Sequence, residues 1–467
     1  MKLNLFRNTS FSKFILYLLC FTMFCFVFYT KRWTKAETPQ KIINWDVTSY
    51  YSYLPATFIY HDITLEFIKN YPEKEFGERH CFFYQTAPNG SKVIKFTMGN
   101  AIMYAPFFFI AHATAHLLNY ETNGFSIPYE FWLAISSLFY LIIGLSYLRK
   151  LLLLYFNEYA SSATLIAVML GTNLFYYSSS EPAMSHAYTF SLVSIFLYQF
   201  ISWYRNPSIK KIILIGLLYG LIVLIRPVNI LFILFPLFFD IYSGRSLINK
   251  VYFFQKYWKH LLVFLISPFI VFIPQLIYWK TLTGDWLFYS YLNESFYFLN
   301  PHIIDGFFSF RNGWLIYSPV MIFAVIGIFY LRRANKEIFL PVVLFFVFNS
   351  YVMYCWWTWW YGGSFGSRPM IDSYALMSLP MAALFQTILE KGKLIKLVLI
   401  TIISGLVFIN IFQSHQKDIG LIHHDAMTKD AYFLVFLKSD LNFNERVLLD
   451  KVLKSPNYDN ALLGKDE

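Results

Sequence analysis

Charge is scarce in this chain. Asp, Glu, Lys and Arg make up only 14% of its 467 residues, about half of what soluble domains carry. A surface wetted on all sides cannot be built from so few ionised groups, which excludes a water-soluble globular or disordered protein. Acids are the scarcer sign, 27 against 38 bases. Cysteine is scarcer still: the four present are too few for a disulfide framework. Cys20 and Cys25 lie in one apolar run, and number alone argues against pairing of the other two, Cys81 and Cys355. Long low-complexity segments and internal repeats are missing as well, which weighs against a transporter built from duplicated halves.

What the chain has instead is apolar length. Hydrophobic residues reach 57% and the mean hydropathy is +0.48. Eleven runs at 14–30, 128–148, 159–177, 185–204, 210–225, 227–241, 258–279, 313–331, 337–355, 369–389 and 393–412 approach the ~20 residues that cross a bilayer. The expected class is an all-α polytopic membrane protein of about 11 transmembrane helices. With a cytoplasmic amino terminus, the inner connections collect 18 bases (among them Arg149, Lys150, Arg205, Lys210, Lys211, Arg332 and Arg333) and four acids, leaving 20 bases and 23 acids elsewhere. The net +11 is therefore an inner-face bias that orients the chain, and it implies membrane lipids as partners and no nucleic acid. The stretch 98–118 is also apolar, yet counting it as a crossing would place the later bases outside. Its Asn100, Pro106, His112 and His116 suit a helix in the outer interface or dipping into a cavity. The first run begins like a secretion signal, but FYTKRW follows in place of a cleavage site, so it reads as an anchor.

The chain expands on its outer side, in loops 32–127, 280–312 and 356–368 and a 54-residue tail, 414–467, after a membrane domain spanning 1–413. Runs 210–225 and 227–241 are short and joined by Arg226-Pro227 with no polar loop. Helices of about 15 residues rise only ~23 Å against an apolar core of ~30 Å, so their shared tip falls inside the membrane. An arginine there costs several kcal/mol unless it is paired or meets water. A simple hairpin with Arg226 snorkelling to the interface is the plainer alternative.

The same topology delivers further ionisable groups to the outer side: Asp46 in NWDVTSYYSY, Lys95 ahead of the interfacial segment, Glu181 and His186 in SSEPAMSHAY, Arg311 in SFRNGW, and Arg368 in WWTWWYGGSFGSRP. A set rich in bases suits a lipid phosphate or diphosphate headgroup, and Asp46 beside it suits a general base. Each residue also has a plain role: a solvated acid, an interhelical histidine, an arginine beside an aromatic belt. Trp357, Trp360 and Tyr361 belong to such a belt and can also stack on a sugar face, and Gly362, Gly363 and Gly366 permit tight turns that fold the loop over a site. His61-Asp62 and His423-His424-Asp425 are the only metal-like groupings, and the reading favours neither a catalytic metal nor any other cofactor.

These residues resemble the membrane-embedded C-type (GT-C) glycosyltransferases that use polyprenyl-phosphate sugars, especially bacterial relatives of the protein O-mannosyltransferases and the lipid A aminoarabinose transferase, from the first span to about residue 412. Asp46 matches the essential acid of that family's first outer loop, 98–118 its juxtamembrane helix, Lys95 the base just ahead of that helix, and Arg226 the base between two short central helices. SFRNGWLIYSP and WYGGSFGSRP resemble segments of bacterial members, which adds Arg311 and Arg368. Two features depart from the pattern: Val47 stands where many members have a second acid, and Glu181 where relatives often have Asp. The resemblance implies a GT-C architecture in an inner (cytoplasmic) membrane, with the site and the carboxyl terminus on the periplasmic side. It further implies inverting transfer of a sugar from a polyprenyl-phosphate donor to a lipid, glycan or protein acceptor, with Asp46 as base and Lys95 and Arg226 on the phosphate. A transporter or flippase for a polyprenyl-linked saccharide is the alternative.

Overall fold

The computed structural model describes residues 10–34, 41–70 and 84–465. Helices dominate because long apolar runs leave the backbone little to bond except itself. The first part comprises α1 (Ser10–Thr30), α2 (Trp45–Phe58), a hairpin of β1 (Tyr84–Thr86) and β2 (Lys92–Ile94), α3 (Gly99–Leu117), α4 (Ile127–Leu152), α5 (Glu158–Leu170), α6 (Leu174–Ser179), α7 (Ser185–Arg205) and α8 (Ile209–Ile225). Then come α9 (Leu234–Phe238), α10 (Gly244–Lys256), α11 (Trp258–Thr283), α12 (Ile303–Phe308), α13 (Trp314–Tyr317), α14 (Ile322–Ala334), α15 (Lys336–Tyr354), α16 (Tyr374–Leu389) and α17 (Lys393–Asp418). The tail adds α18 (Lys429–Val435), α19 (Phe443–Val452) and α20 (Tyr458–Leu462). The hairpin is antiparallel, Gln85 opposite Val93.

Among the described residues five helices are long and apolar enough to cross a membrane, α1, α4, α11, α15 and α17, and the chain is an all-α protein of membrane-embedded character. The expected count of about eleven crossings is not established by these helices, and several of the apolar runs are interrupted. α7 has the length but carries Ser, Thr and Tyr and is enclosed by other helices along most of its course, its Ser191 and Ser194 hydroxyls donating to the carbonyls of Ala187 and Phe190. Run 159–177 divides into α5 and α6 at Gly171-Thr172-Asn173. Run 227–241 is a 3-10 segment, Pro227–Ile233, followed by the single turn α9. Run 313–331 breaks at Ser318-Pro319, and run 369–389 opens with a 3-10 segment, Arg368–Ser373.

Several of these breaks meet. Asn173 N–H donates to Ser318 Oγ at 3.1 Å, Tyr374 Oη donates to Asn173 Oδ1 at 2.7 Å, and Asn173 Nδ2 donates to the Phe365 carbonyl at 3.1 Å. Side chains thus satisfy backbone that the interrupted helices leave open, the condition for irregular chain deep in an apolar body.

α3 does not cross. It lies antiparallel to one half of α4, with His112 Nδ1 2.6 Å from Tyr129 Oη, Trp132 Nε1 donating to Thr114 Oγ1 at 3.0 Å and Tyr140 Oη donating to the Met103 carbonyl at 3.2 Å. Its first residue, Gly99, packs directly on the backbone at Ile225, where any Cβ would collide. α8 meets α11 through Gly216 and Gly220, whose added Cβ atoms would stand 2.6 Å from Ser267 Cβ and 2.7 Å from Pro268 Cα. All residues of α2 from Val47 to Ala56 are buried.

Candidate functional site

The chain places Asp46 by a fixed turn. Glu130, buried in the first turn of α4, accepts the backbone N–H groups of Ile42 and Ile43 at 2.8 and 3.1 Å. Trp45 then takes a left-handed φ of +44°, rare for a side chain of its size, so that α2 starts with Asp46 in its first turn. The Asp46 carboxylate receives Arg368 Nη1 at 2.9 Å. Arg368 heads the 3-10 segment that follows a loop turned at Gly363 and Gly366, φ +72° and +63°, as the glycine pattern suggested.

Arg226 sits where α8 stops, in extended backbone, and faces a group that the sequence reading passed over. Asp372 accepts Arg226 Nη1 at 3.3 Å, Asn229 Nδ2 at 3.0 Å and His186 Nδ1 at 3.2 Å. His186 Nδ1 also lies 3.5 Å from Arg226 Nη1. Asp372 is 1% exposed and the His186 side chain 3%, whereas Asp46, Arg368 and Arg226 retain 16, 16 and 19%. The Asp372–His186 pair is thus fully enclosed, and the other three side chains keep partial exposure. Tyr50 and Tyr291 lie within electrostatic range of both Asp46 and Arg226, which joins the two clusters into one locality.

Lys95 forms an ion pair with a second overlooked acid, Glu294, whose other oxygen accepts Trp357 Nε1 at 3.1 Å. The Lys95 Nζ stands 5.3 Å from the centre of the Tyr291 ring, which ties this pair to the same locality. Glu181 accepts Tyr176 Oη at 3.0 Å, while the neighbouring Tyr177 ring packs edge-on against His186 at 5.2 Å. Burial raises the Glu181 carboxyl, with Lys417 and Arg368 opposing it.

The remaining expected residues lie elsewhere or are covered. Arg311 is turned toward the tail, donating to the Lys454 carbonyl at 2.9 Å and lying 5.6 Å over the Trp360 ring. It borders an open cleft of about 740 Å³ with His302, Asp305, Trp359 and Met427. Trp360 is 1% exposed, packed on Tyr458 and Ala461 of the tail, and offers no face to a sugar. Tyr361 is buried and donates to the Met353 carbonyl at 2.8 Å. Asp62 accepts the Thr64 and Phe67 N–H groups, which gives it a local turn-forming role. The ligand atoms of His423, His424 and Asp425 lie within 4.8 Å of one another, but His423 Nδ1 accepts backbone N–H groups from Asp425 and Ala426, and Asp425 Oδ2 accepts Tyr458 Oη. Cys355 is a buried free thiol, and Cys81 lies outside the described residues.

No protein-family model matches the chain, and no curated protein matches it.

Proposed function

We propose that the chain is a membrane-embedded glycosyltransferase that moves a sugar from a polyprenyl-phosphate donor to an acceptor hydroxyl or amine on the outer side of the membrane. The observation that carries the reading is the convergence of Asp46, Arg368, Arg226 and Lys95 from four separated segments, the first three tied through the 3-10 segment Arg368–Ser373 that bears both Arg368 and Asp372, and Lys95 lying over the Tyr291 ring. A carboxylate beside accessible guanidinium and ammonium groups supports acid–base chemistry next to a phosphate.

In the proposed reaction Asp46 takes the proton of the acceptor while the acceptor atom attacks the anomeric carbon. The bond from that carbon to the phosphate oxygen breaks, and polyprenyl phosphate leaves with the electron pair. One displacement inverts the centre. The phosphodiester gains a charge as it departs, and Arg226 and Lys95 offset it. Arg368 holds the Asp46 carboxylate in place. Asp372 and His186 act beneath, fixing the fork of Arg226.

The sidedness is part of the proposal. Groups assigned by charge to the inner face meet one another, as in Arg149 Nε donating to Ser12 Oγ at 2.6 Å and Arg205 pairing with Glu337 at 3.1 Å. Groups assigned to the outer face do likewise, as in Arg32 pairing with Asp418 at 2.7 Å.

The test is turnover in proteoliposomes supplied with polyprenyl-phosphate sugars and envelope acceptors. Asp46→Asn is expected to lower turnover at least ~100-fold, the range for a lost general base, with donor binding largely kept. Turnover unchanged in that variant would sink the transferase reading and favour a carrier.

A further inference from the structure

The donor-facing groups are electrically balanced before any donor arrives. Arg368 faces Asp46, Arg226 faces Asp372 and Lys95 faces Glu294, three cations against three carboxylates. A phosphodiester bound into this set leaves an uncompensated negative charge in a poorly hydrated place, which is unfavourable unless a carboxylate withdraws. The three acids differ in their freedom to do so. Asp46 is required as the base. Asp372 is 1% exposed and held by Arg226, His186 and Asn229. Glu294 keeps 17% of its side chain exposed and stands in the connection between α11 and α12, which forms no helix.

The donors that hold Glu294 are also those a phosphate would use. One carboxylate oxygen takes the Lys95 ammonium and the other takes the Trp357 indole N–H. Both donate without accepting, and each can turn to a phosphate oxygen placed where the carboxylate now lies. Backbone bonds from Trp357 N–H to the Ser295 carbonyl at 3.1 Å and from Tyr297 N–H to the Cys355 carbonyl at 2.6 Å tie the connection to the loop bearing Trp357. Withdrawal of the Glu294 side chain therefore leaves Trp357 in position, and Ser290 Oγ, donating to the Lys95 carbonyl, holds the Lys95 backbone against the same connection.

Resting on the proposed donor class, we propose that Glu294 is a built-in surrogate for the donor phosphate: it occupies the subsite formed by Lys95 Nζ and Trp357 Nε1 and is displaced when a polyprenyl phosphate binds. Glu294 is then a specificity-setting residue, admitting only ligands whose anionic group competes with an internal carboxylate. Trp357 serves the phosphate through its indole N–H.

The test is direct binding of undecaprenyl phosphate to the purified full chain in nanodiscs, with Glu294→Gln, Glu294→Ala and Lys95→Met. Both Glu294 variants are expected to bind roughly 3–10-fold tighter than the wild type, since one competing ion pair of this exposure is removed. Lys95→Met is expected to weaken binding, and adding Glu294→Gln to it should restore little, because the two substitutions remove the same contact. Equal or weaker binding by both Glu294 variants overturns the surrogate role while leaving the donor class intact. A wild-type chain and both Glu294 variants that all fail to bind undecaprenyl phosphate would overturn the donor class and the surrogate with it.

Discussion

Asp372 shows how one side chain organises the site. It neutralises Arg226, orients His186 and takes the Asn229 amide, all from a position 1% exposed. Replacing it with alanine leaves the partly exposed Arg226 guanidinium and the buried His186 and Asn229 without their carboxylate, a loss of about 1–3 kcal/mol. Asp372→Ala is expected to unfold at a markedly lower temperature in detergent, while Asp372→Asn, which keeps its shape and part of its bonding, falls between. Equal thermal stability of all three proteins would show that the pair is not structural. The residue was legible in principle, since an acid just inside an apolar run is costly without a partner, but it was read only as part of a span. Asp46, Arg226 and His186 stood out because topology sent each to the same side. Glu294 had no such signal: it sits in an aperiodic stretch, and only folding brings it to Lys95 and Trp357.

At the scale of elements, the runs were readable and their interruptions were not. Hydropathy reports apolar length, and a helix broken at Gly171-Thr172-Asn173 or Ser318-Pro319 is as apolar as an unbroken one. The signals were short: an Asn after a Gly, and a Ser before a Pro, which disfavours helix at the preceding residue. The Asn89-Gly90 step likewise marks the turn between β1 and β2. The contact of α8 with α11 depends on two glycines one turn apart. Gly220→Leu forces a branched side chain against Pro268 and is expected to destabilise by about 1–3 kcal/mol, the usual effect of overpacking. Because α8 ends at Arg226, donor affinity should fall with it, read by thermal unfolding and by undecaprenyl phosphate binding on one preparation. A variant with unaltered unfolding would refute the close approach.

The tail gives the elements a pH dependence. Burial pushes the Asp425 carboxyl up, but the adjoining His423 imidazole, the Tyr458 hydroxyl donating to it and the His424 imidazole outweigh it and hold the group at about 2. A lowered carboxylate contributes stability above its ordinary value near 4 and loses it as pH falls toward 2. Docking of α20 on Trp360 should therefore loosen across that window, measurable as a change in tryptophan emission between pH 4.5 and 2. Asp425→Asn should flatten that transition. An identical profile in the variant would assign the transition to other carboxylates.

For the whole molecule, the decisive question is which ends of the helices face which compartment. The two sets of ends differ in charge and in architecture. One set carries Arg149, Arg205 and Arg332 in the last turns of α4, α7 and α14 and Lys250 within α10. The other carries α2, the hairpin, α3 and the tail packed into a thick cap, in which Asn312 Nδ2 donates to the His424 carbonyl at 2.7 Å. Translocation retains bases on the cytoplasmic side, so the proposed topology puts the cap outside. The expectation can be checked in intact cells with a membrane-impermeant maleimide on single cysteines introduced into a chain whose Cys20, Cys25, Cys81 and Cys355 are serine. Asp440, 77% exposed in the tail, should label from outside once replaced by cysteine, whereas cysteine in place of the exposed Lys393 at the start of α17 should label only after permeabilisation. These positions lie at opposite ends of the cap-to-loop axis, so labelling of both from one side would invert or abolish the topology. An inverted result would put Asp46, Arg226 and Lys95 in the cytoplasmic half, where soluble nucleotide sugars compete as donors, and the lipid-linked donor would lose its main support.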